Sequence, residues 1–103
     1  MKLMTKELEE EFRKVGQQEE VRDPIVVCKF FNPTGFGTWL ATEYCSEDKT
    51  FFGYVSIFGD ACDEWGNFSL KELEEITLPF KLGIERDIFF QPQRISKVMP
   101  KAV

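Results

Sequence analysis

The stretch Cys28 to Tyr54, CKFFNPTGFGTWLATEYCSEDKTFFGY, constrains this chain more than any other. Apolar and polar residues alternate over runs rich in Phe, Trp, Tyr and Thr, and turn signals separate the runs, the pattern of consecutive strands in a meander. Just upstream and overlapping it, Ile25 to Phe31, IVVCKFF, is too continuously apolar for a strand with one wet face, so it is expected inside the sheet with cover on both sides. Asn32-Pro33-Thr34-Gly35 places Asn, Pro and Gly at the first, second and fourth positions of a type I turn. Thr38 to Cys45 then reads as the second strand, Ser46 to Lys49 as a polar loop and Thr50 to Phe58 as the third strand.

Turn positions set the register, and a slip of one residue carries every side chain to the other face. Pairing Phe31 with Gly37 and Cys45 with Thr50 makes neighbours of Lys29, Trp39 and Ser56, and of Val27, Ala41 and Tyr54, with Glu43 beside Phe52. One face then holds Val26, Cys28, Phe30, Leu40, Tyr44, Phe51, Val55 and Ile57 as core. The other holds Val27, Phe31, Trp39, Phe52, Tyr54 and Phe58 with Lys29, Glu43 and Ser56 set among the rings. This mixed face is the expected working surface.

The flanks supply cover. Thr5 to Val15 reads as a helix capped by Thr5, acidic at its start, basic at Arg13 and Lys14, and stopped by Gly16. Leu8, Phe12 and Val15 form its apolar stripe. Gln17 to Asp23 is a polar connection ending at Asp23-Pro24. Gly59 to Asn67 reads as an acidic loop, and Ser69-Leu70-Lys71-Glu72 is a capping box opening a short helix from Leu70 to Ile76. Pro79 ends that helix, Leu82-Gly83-Ile84 turns, and Arg86 to Gln91 is a last strand at a sheet edge, bounded by Pro92. Residues 1–4 and 99–103 are expected to be loose. The sum is a single α+β domain over residues 1–103, an antiparallel β-meander plus a final strand, packed with an N-terminal helix and a short helix.

Composition narrows function. A chain of 103 residues, 43% hydrophobic and 15% aromatic, can bury one core without staples. A net charge of -5 disfavours general nucleic-acid and anionic-membrane binding. No uncharged apolar run approaches the ~20 residues of a membrane span, and the charged N-terminus is unlike a secretory signal, so a cytoplasmic protein is expected. Cys28, Cys45 and Cys62 include no CxxC pair and fit a reducing compartment. Asp60, Asp63 and Glu64 do not follow a calcium-loop pattern, and no metal or cofactor is expected. The absence of histidine removes the commonest general base and metal ligand. An enzyme would have to use carboxylates and Lys29, with Lys29 near Glu43 beside Trp39 and Tyr54 as its best centre.

The same residues support a binding reading. Aromatic sheet faces in small α+β modules stack unpaired bases with the help of cations, here Lys29 and Arg86. Acidity offers an alternative, a DNA-mimicking inhibitor that presents Asp60, Asp63 and Glu64 to the basic surface of a DNA-processing enzyme. The expectation is a non-enzymatic accessory or interaction module, binding a protein or nucleic-acid partner through Lys29, Trp39, Glu43 and Tyr54 with Arg86 nearby. A homodimer formed through the exposed last strand is part of that expectation.

In order along the chain, Lys29-Phe30-Phe31, Thr38-Trp39 with Ala41-Thr42-Glu43, Phe52-Gly53, Gly66 with Phe68-Ser69-Leu70, and Ile84-Glu85-Arg86-Asp87 resemble the family of proteins called domain of unknown function 2958. The resemblance runs from about Thr5 to Val98, with departures at Leu40, where an aromatic is frequent, and at Cys45. It implies a setting, that of short bacterial proteins carried by plasmids, phages and conjugative elements, and no agreed activity. Lys29, Trp39, Thr42, Glu43, Glu85 and Arg86 match motif positions without the resemblance assigning them roles.

Overall fold

The N-terminal helix, α1 (Lys6–Val15), begins where the Thr5 hydroxyl accepts the Leu8 N–H at 3.1 Å and ends at Gly16, whose φ of 73° suits glycine. The computed structural model of the chain describes residues 1–58 and 62–103. After α1 come β1 (Ile25–Val26), β2 (Cys28–Phe31), β3 (Thr38–Cys45), β4 (Thr50–Ser56) and β5 (Glu64–Ser69), then α2 (Leu70–Glu75), β6 (Glu85–Arg86), β7 (Gln93–Arg94) and α3 (Ile95–Val98). Short 3-10 turns span Pro79–Lys81 and Pro100–Ala102. The main sheet is antiparallel with strand order β5-β4-β3-β2-β6, and β1 pairs with β7 in a small second sheet. The fold is α+β, as the alternation predicts.

Several elements differ from the sequence reading, each for a physical reason. The apolar run Ile25 to Phe31 breaks at Val27 because β1 leaves the main sheet to pair with β7. The segment expected as an acidic loop from Gly59 to Asn67 contains most of β5, which its two glycines and acids disguise; Asp60 lies outside the described residues. Of the expected last strand from Arg86 to Gln91 only Arg86 lies in a strand, as the second residue of β6, since Asp87 turns the chain by accepting the Phe89 N–H on its carboxylate, and the last strand is β7, beyond Pro92. Where loose termini are expected, Leu3 is buried and the Ala102 carbonyl accepts the Trp65 indole N–H at 3.2 Å.

Both faces of the sheet are covered. On one, Leu8 and Phe12 of α1 and Leu73 of α2 pack over Cys28, Phe30, Trp39, Phe51 and Phe68. Phe51 is the hub, with the rings of Phe12, Phe30, Tyr44 and Phe68 all within 5.8 Å between centroids. On the other, Ile95 with Val98, Met99 and Ala102 covers Val26, Leu40 and Tyr54. Fully burying one such side chain contributes about 1.5–3 kcal/mol, so the C-terminal segment is part of the core.

Asp23, read from sequence as the end of a linker, anchors that segment. Its carboxylate accepts the Ser96 N–H at 2.9 Å and the Ser96 hydroxyl at 2.6 Å, and Ile95 donates to the Pro24 carbonyl at 2.9 Å. The Ser96 hydroxyl first, then its N–H, holds the Asp23 carboxyl below the ordinary carboxylate range. A folded-state value below the unfolded one means that the stabilisation is complete above the unfolded pKa and is lost as pH falls through the folded value. Acidification below the carboxylate range is therefore expected to lower the melting temperature of the wild type more than that of Asp23→Asn, as read by circular dichroism. Equal losses in the two proteins would remove Asp23 from the acid response.

Candidate functional site

Two local irregularities decide which residues share a face. At the β2–β3 turn, the Asn32 side chain accepts the Thr34 N–H at 2.8 Å and donates to the Phe36 carbonyl at 3.0 Å, bracing the loop. Gly37, at φ 137°, closes it by accepting the Asn32 N–H at 2.9 Å. The turn is thus one residue longer than the type I reading, and Phe31 pairs with Thr38 instead of Gly37. The expected neighbours of Lys29 and Tyr54 change accordingly: Lys29 lies opposite Leu40, and Leu40 opposite Tyr54. In the β3–β4 ladder, Cys45 pairs with Thr50 and Glu43 with Phe52 as expected, but a bulge at Thr42 shifts the register so that Ala41 meets Gly53.

The bulge inserts one residue, so Leu40 and Glu43 face the same way and Trp39 faces the opposite way. Lys29, Glu43 and Tyr54 therefore share the face covered by the C-terminal segment, together with Phe52 and Trp65. Trp39, opposite Phe30, lies in the helix-side core and is 8% exposed. Tyr54 is 6% exposed. The single open aromatic face expected from sequence is thus replaced by two covered ones. Arg86 lies opposite Phe30 at the sheet edge, on the Trp39 side, and its Nε is buried without a hydrogen-bond partner. Burial pushes the nearby Cys28 thiol far up, and the Arg86 charge opposes that shift only in part.

What remains open is the end of the second face beyond the bulge. A groove of about 800 Å³ wraps the end of the sheet there, lined by Glu19, Glu43, Glu47 and Asp48, with Tyr44 and Phe51 of the helix-side face and Phe52 of the other as its rings and Asn67 at its β5 side. Among the described residues lining it there is no Lys or Arg. A smaller recess of about 250 Å³ shares Glu19, Glu43 and Phe52 with it and continues to Arg22, Trp65 and Ala102. The recess has an aromatic wall: Phe52 stacks on Trp65 at 5.9 Å and 17°, and Trp65 meets Tyr54 edge-on at 5.5 Å. Tyr44, at the helix end of the groove, has its phenol pushed up by burial and then by the surrounding acids, Glu9 first.

Gln18 lines the recess beside the groove and braces the bulge. It is 6% exposed, and its side-chain amide donates to the Thr42 carbonyl at 2.8 Å and the Ile25 carbonyl at 2.9 Å while accepting the Ile25 N–H at 2.7 Å. Thr42 in turn donates its hydroxyl to the Phe52 carbonyl at 3.1 Å. This lattice fixes the bulge, and the bulge aims Glu43 into the groove. Of the five residues expected at the site, Glu43 lines the groove, Tyr54 backs its aromatic wall, and Lys29, Trp39 and Arg86 stand elsewhere. Among the described residues Lys29 and Glu43 form no ion pair. Of the expected acidic patch, Glu64 is exposed on β5 and Asp63 pairs with Lys101.

Sequence reasoning missed Gln18, Glu19, Trp65 and Asn67. Gln18 and Glu19 sit in a stretch with no periodicity, and Trp65 and Asn67 belong to the strand that reads as a loop. Only the alternation of Trp65, Asn67 and Ser69 with Gly66 and Phe68 hints at that strand. Among the described residues no group of three or more His, Cys, Asp or Glu side chains is arranged to hold a metal ion. None of their helices is long and apolar enough to cross a membrane. The family model described as "Protein of unknown function (DUF2958)" matches residues 3–102. No curated protein and no solved structure matches the chain.

Proposed function

We propose, from the premise that the chain belongs to the DUF2958 family, a family of unknown function, that it is a non-enzymatic interaction module whose groove takes a Lys- or Arg-rich segment of a partner protein. The observation that carries this reading is the groove itself: four carboxylates with no cation among its described lining, opening onto the Phe52–Trp65 stack. Carboxylates set around a cavity favour an ammonium or guanidinium group, and an adjoining aromatic face adds a cation–π contact of about 0.5–1 kcal/mol at exposed sites. A net charge of -5 steers basic partners towards it and phosphate backbones away. A mobile genetic element in a bacterial cytoplasm, the setting that the family resemblance implies, supplies DNA-processing proteins with basic surfaces of this kind.

The test is fluorescence anisotropy of a labelled Lys/Arg-rich peptide and of a single-stranded oligonucleotide at two salt concentrations. Peptide binding that weakens with salt is expected, with Trp65 emission shifting on saturation. Glu43→Lys should lower peptide affinity about tenfold, roughly 1.4 kcal/mol. Absence of peptide binding at low salt, tighter binding of the oligonucleotide, or an unchanged affinity in Glu43→Lys would each overturn the reading.

A further inference from the structure

The recess beside the groove differs from it in chemistry. Its apolar walls are Val21, Pro24, Phe52, Trp65, Ala102 and Val103, and at about 250 Å³ it falls short of the ~300–1,000 Å³ of small-molecule sites, so it fits one side chain. The neutral polar groups that border it are already engaged within the fold. Gln18 donates from its amide to the Thr42 and Ile25 carbonyls, the Thr42 hydroxyl donates to the Phe52 carbonyl, and the Trp65 indole N–H donates to the Ala102 carbonyl. What is left to face an occupant is ring and methyl surface. Charge divides the two cavities as well. The groove has four carboxylates and no cation among its described lining, whereas in the recess Arg22 opposes Glu19 and Glu43, the two carboxylates that it shares with the groove. A cation therefore gains less in the recess than in the groove.

We propose that the recess is an anchor pocket: it takes one bulky apolar side chain, Leu, Met or Phe, adjoining the basic residues of the partner segment. The proposal rests on the groove reading above and narrows its partner from any basic segment to a basic segment with one apolar anchor. The two cavities share Glu19, Glu43 and Phe52, so neighbouring residues of one bound chain reach both. The protein's own C-terminal segment makes the same pair of contacts next to the recess, Lys101 with the Asp63 carboxylate and the following residue, Ala102, with Trp65. The pocket is also preformed. Trp65 is held by its bond to Ala102 and its edge-on contact with Tyr54, and Pro24 by the Ile95 N–H on its carbonyl. A pocket fixed in this way needs little ordering when an anchor enters it.

Three labelled peptides test it, alike in their Lys and Arg residues and differing at one central position that holds Leu, Ser or Lys. By fluorescence anisotropy against the full chain, the Leu peptide should bind about tenfold tighter than the Ser peptide, the effect of burying one apolar side chain, and tighter than the Lys peptide despite its extra charge. All three affinities should fall with salt while the Leu-to-Ser ratio holds, because apolar burial is not screened. Val21 is exposed, lines the recess and does not line the groove. Val21→Trp, which fills the recess, should abolish the Leu preference and leave the Ser peptide's affinity unchanged; if that variant fails to fold, Val21→Ser, which removes an apolar wall, should lower the ratio. Equal binding of the Leu and Ser peptides, both weakened by salt, overturns the anchor pocket and leaves the groove standing. A Lys peptide that binds tightest assigns the recess a cation, and a Leu preference undiminished in the Val21 variant places the anchor elsewhere; either result overturns the proposal. Binding by none of the three overturns the groove reading and the anchor with it.

Discussion

Gly53→Ala is expected to be among the most damaging single-methyl additions this chain can receive. A Cβ at Gly53 would stand 1.9 Å from the Leu40 carbonyl oxygen, 2.8 Å from the Leu40 carbonyl carbon and 2.9 Å from the Ala41 Cα. All three are backbone atoms of β3, so no rotamer change relieves the contact, and β3 must move away from β4 at the centre of the sheet. The expected loss is about 3 kcal/mol or more, at or beyond the upper end for overpacking. For a domain of this size it corresponds to a fall in melting temperature of more than about 10 °C. Gly66→Ala is the matched control, since a Cβ there meets nothing within 4 Å. Urea denaturation of the two variants should separate them clearly; equal midpoints would show that the close approach at Gly53 is easily relieved.

Gln18→Ala is expected to cost about 3 kcal/mol, because it strands the Ile25 N–H and two carbonyls that its amide satisfies, each unsatisfied buried group costing about 1–3 kcal/mol less whatever water recovers. Gln18→Glu should be no better, since a carboxylate keeps the acceptor for Ile25 but turns its second oxygen towards two carbonyls. Hydrogen exchange at the Ile25 N–H should accelerate in both variants. The bulge is held by the same lattice, so peptide affinity should fall with stability in Gln18→Ala although Gln18 touches only the recess and not the main groove. Unchanged exchange at Ile25 would mean that the bulge is held by the β3–β4 ladder alone.

Much of the fold was legible. Thr5 and Ser69 mark helix starts because a hydroxyl satisfying an N–H three residues on is a local event, and Leu8, Phe12 and Leu73 face inward because helical spacing puts them on one stripe. Cys45 against Thr50 and Glu43 against Phe52 also followed from a short polar turn. Trp39 is where the reading went astray. Its face depends on the β2–β3 loop length and on the Thr42 bulge, and neither has a signal in the alternation itself. The site was less legible still. Glu43 could be singled out, but its companions Glu19, Glu47 and Asp48 come from two polar connections whose composition predicts only exposure.

By itself the sequence determined the α+β class, the first two helices and their caps, the meander and the family, because each rests on contacts between residues close along the chain or on the two-residue period of a strand. The tertiary structure alone decided which side of the sheet each ring occupies, that the C-terminal segment docks on Asp23, and that a polar connection brings Gln18 to the bulge. A period of two fixes that neighbours alternate but not the phase at which two strands meet. The hydrogen bonds that set that phase join residues far apart along the chain, Gln18 to Thr42 and Asp23 to Ser96, and leave no local mark on either partner.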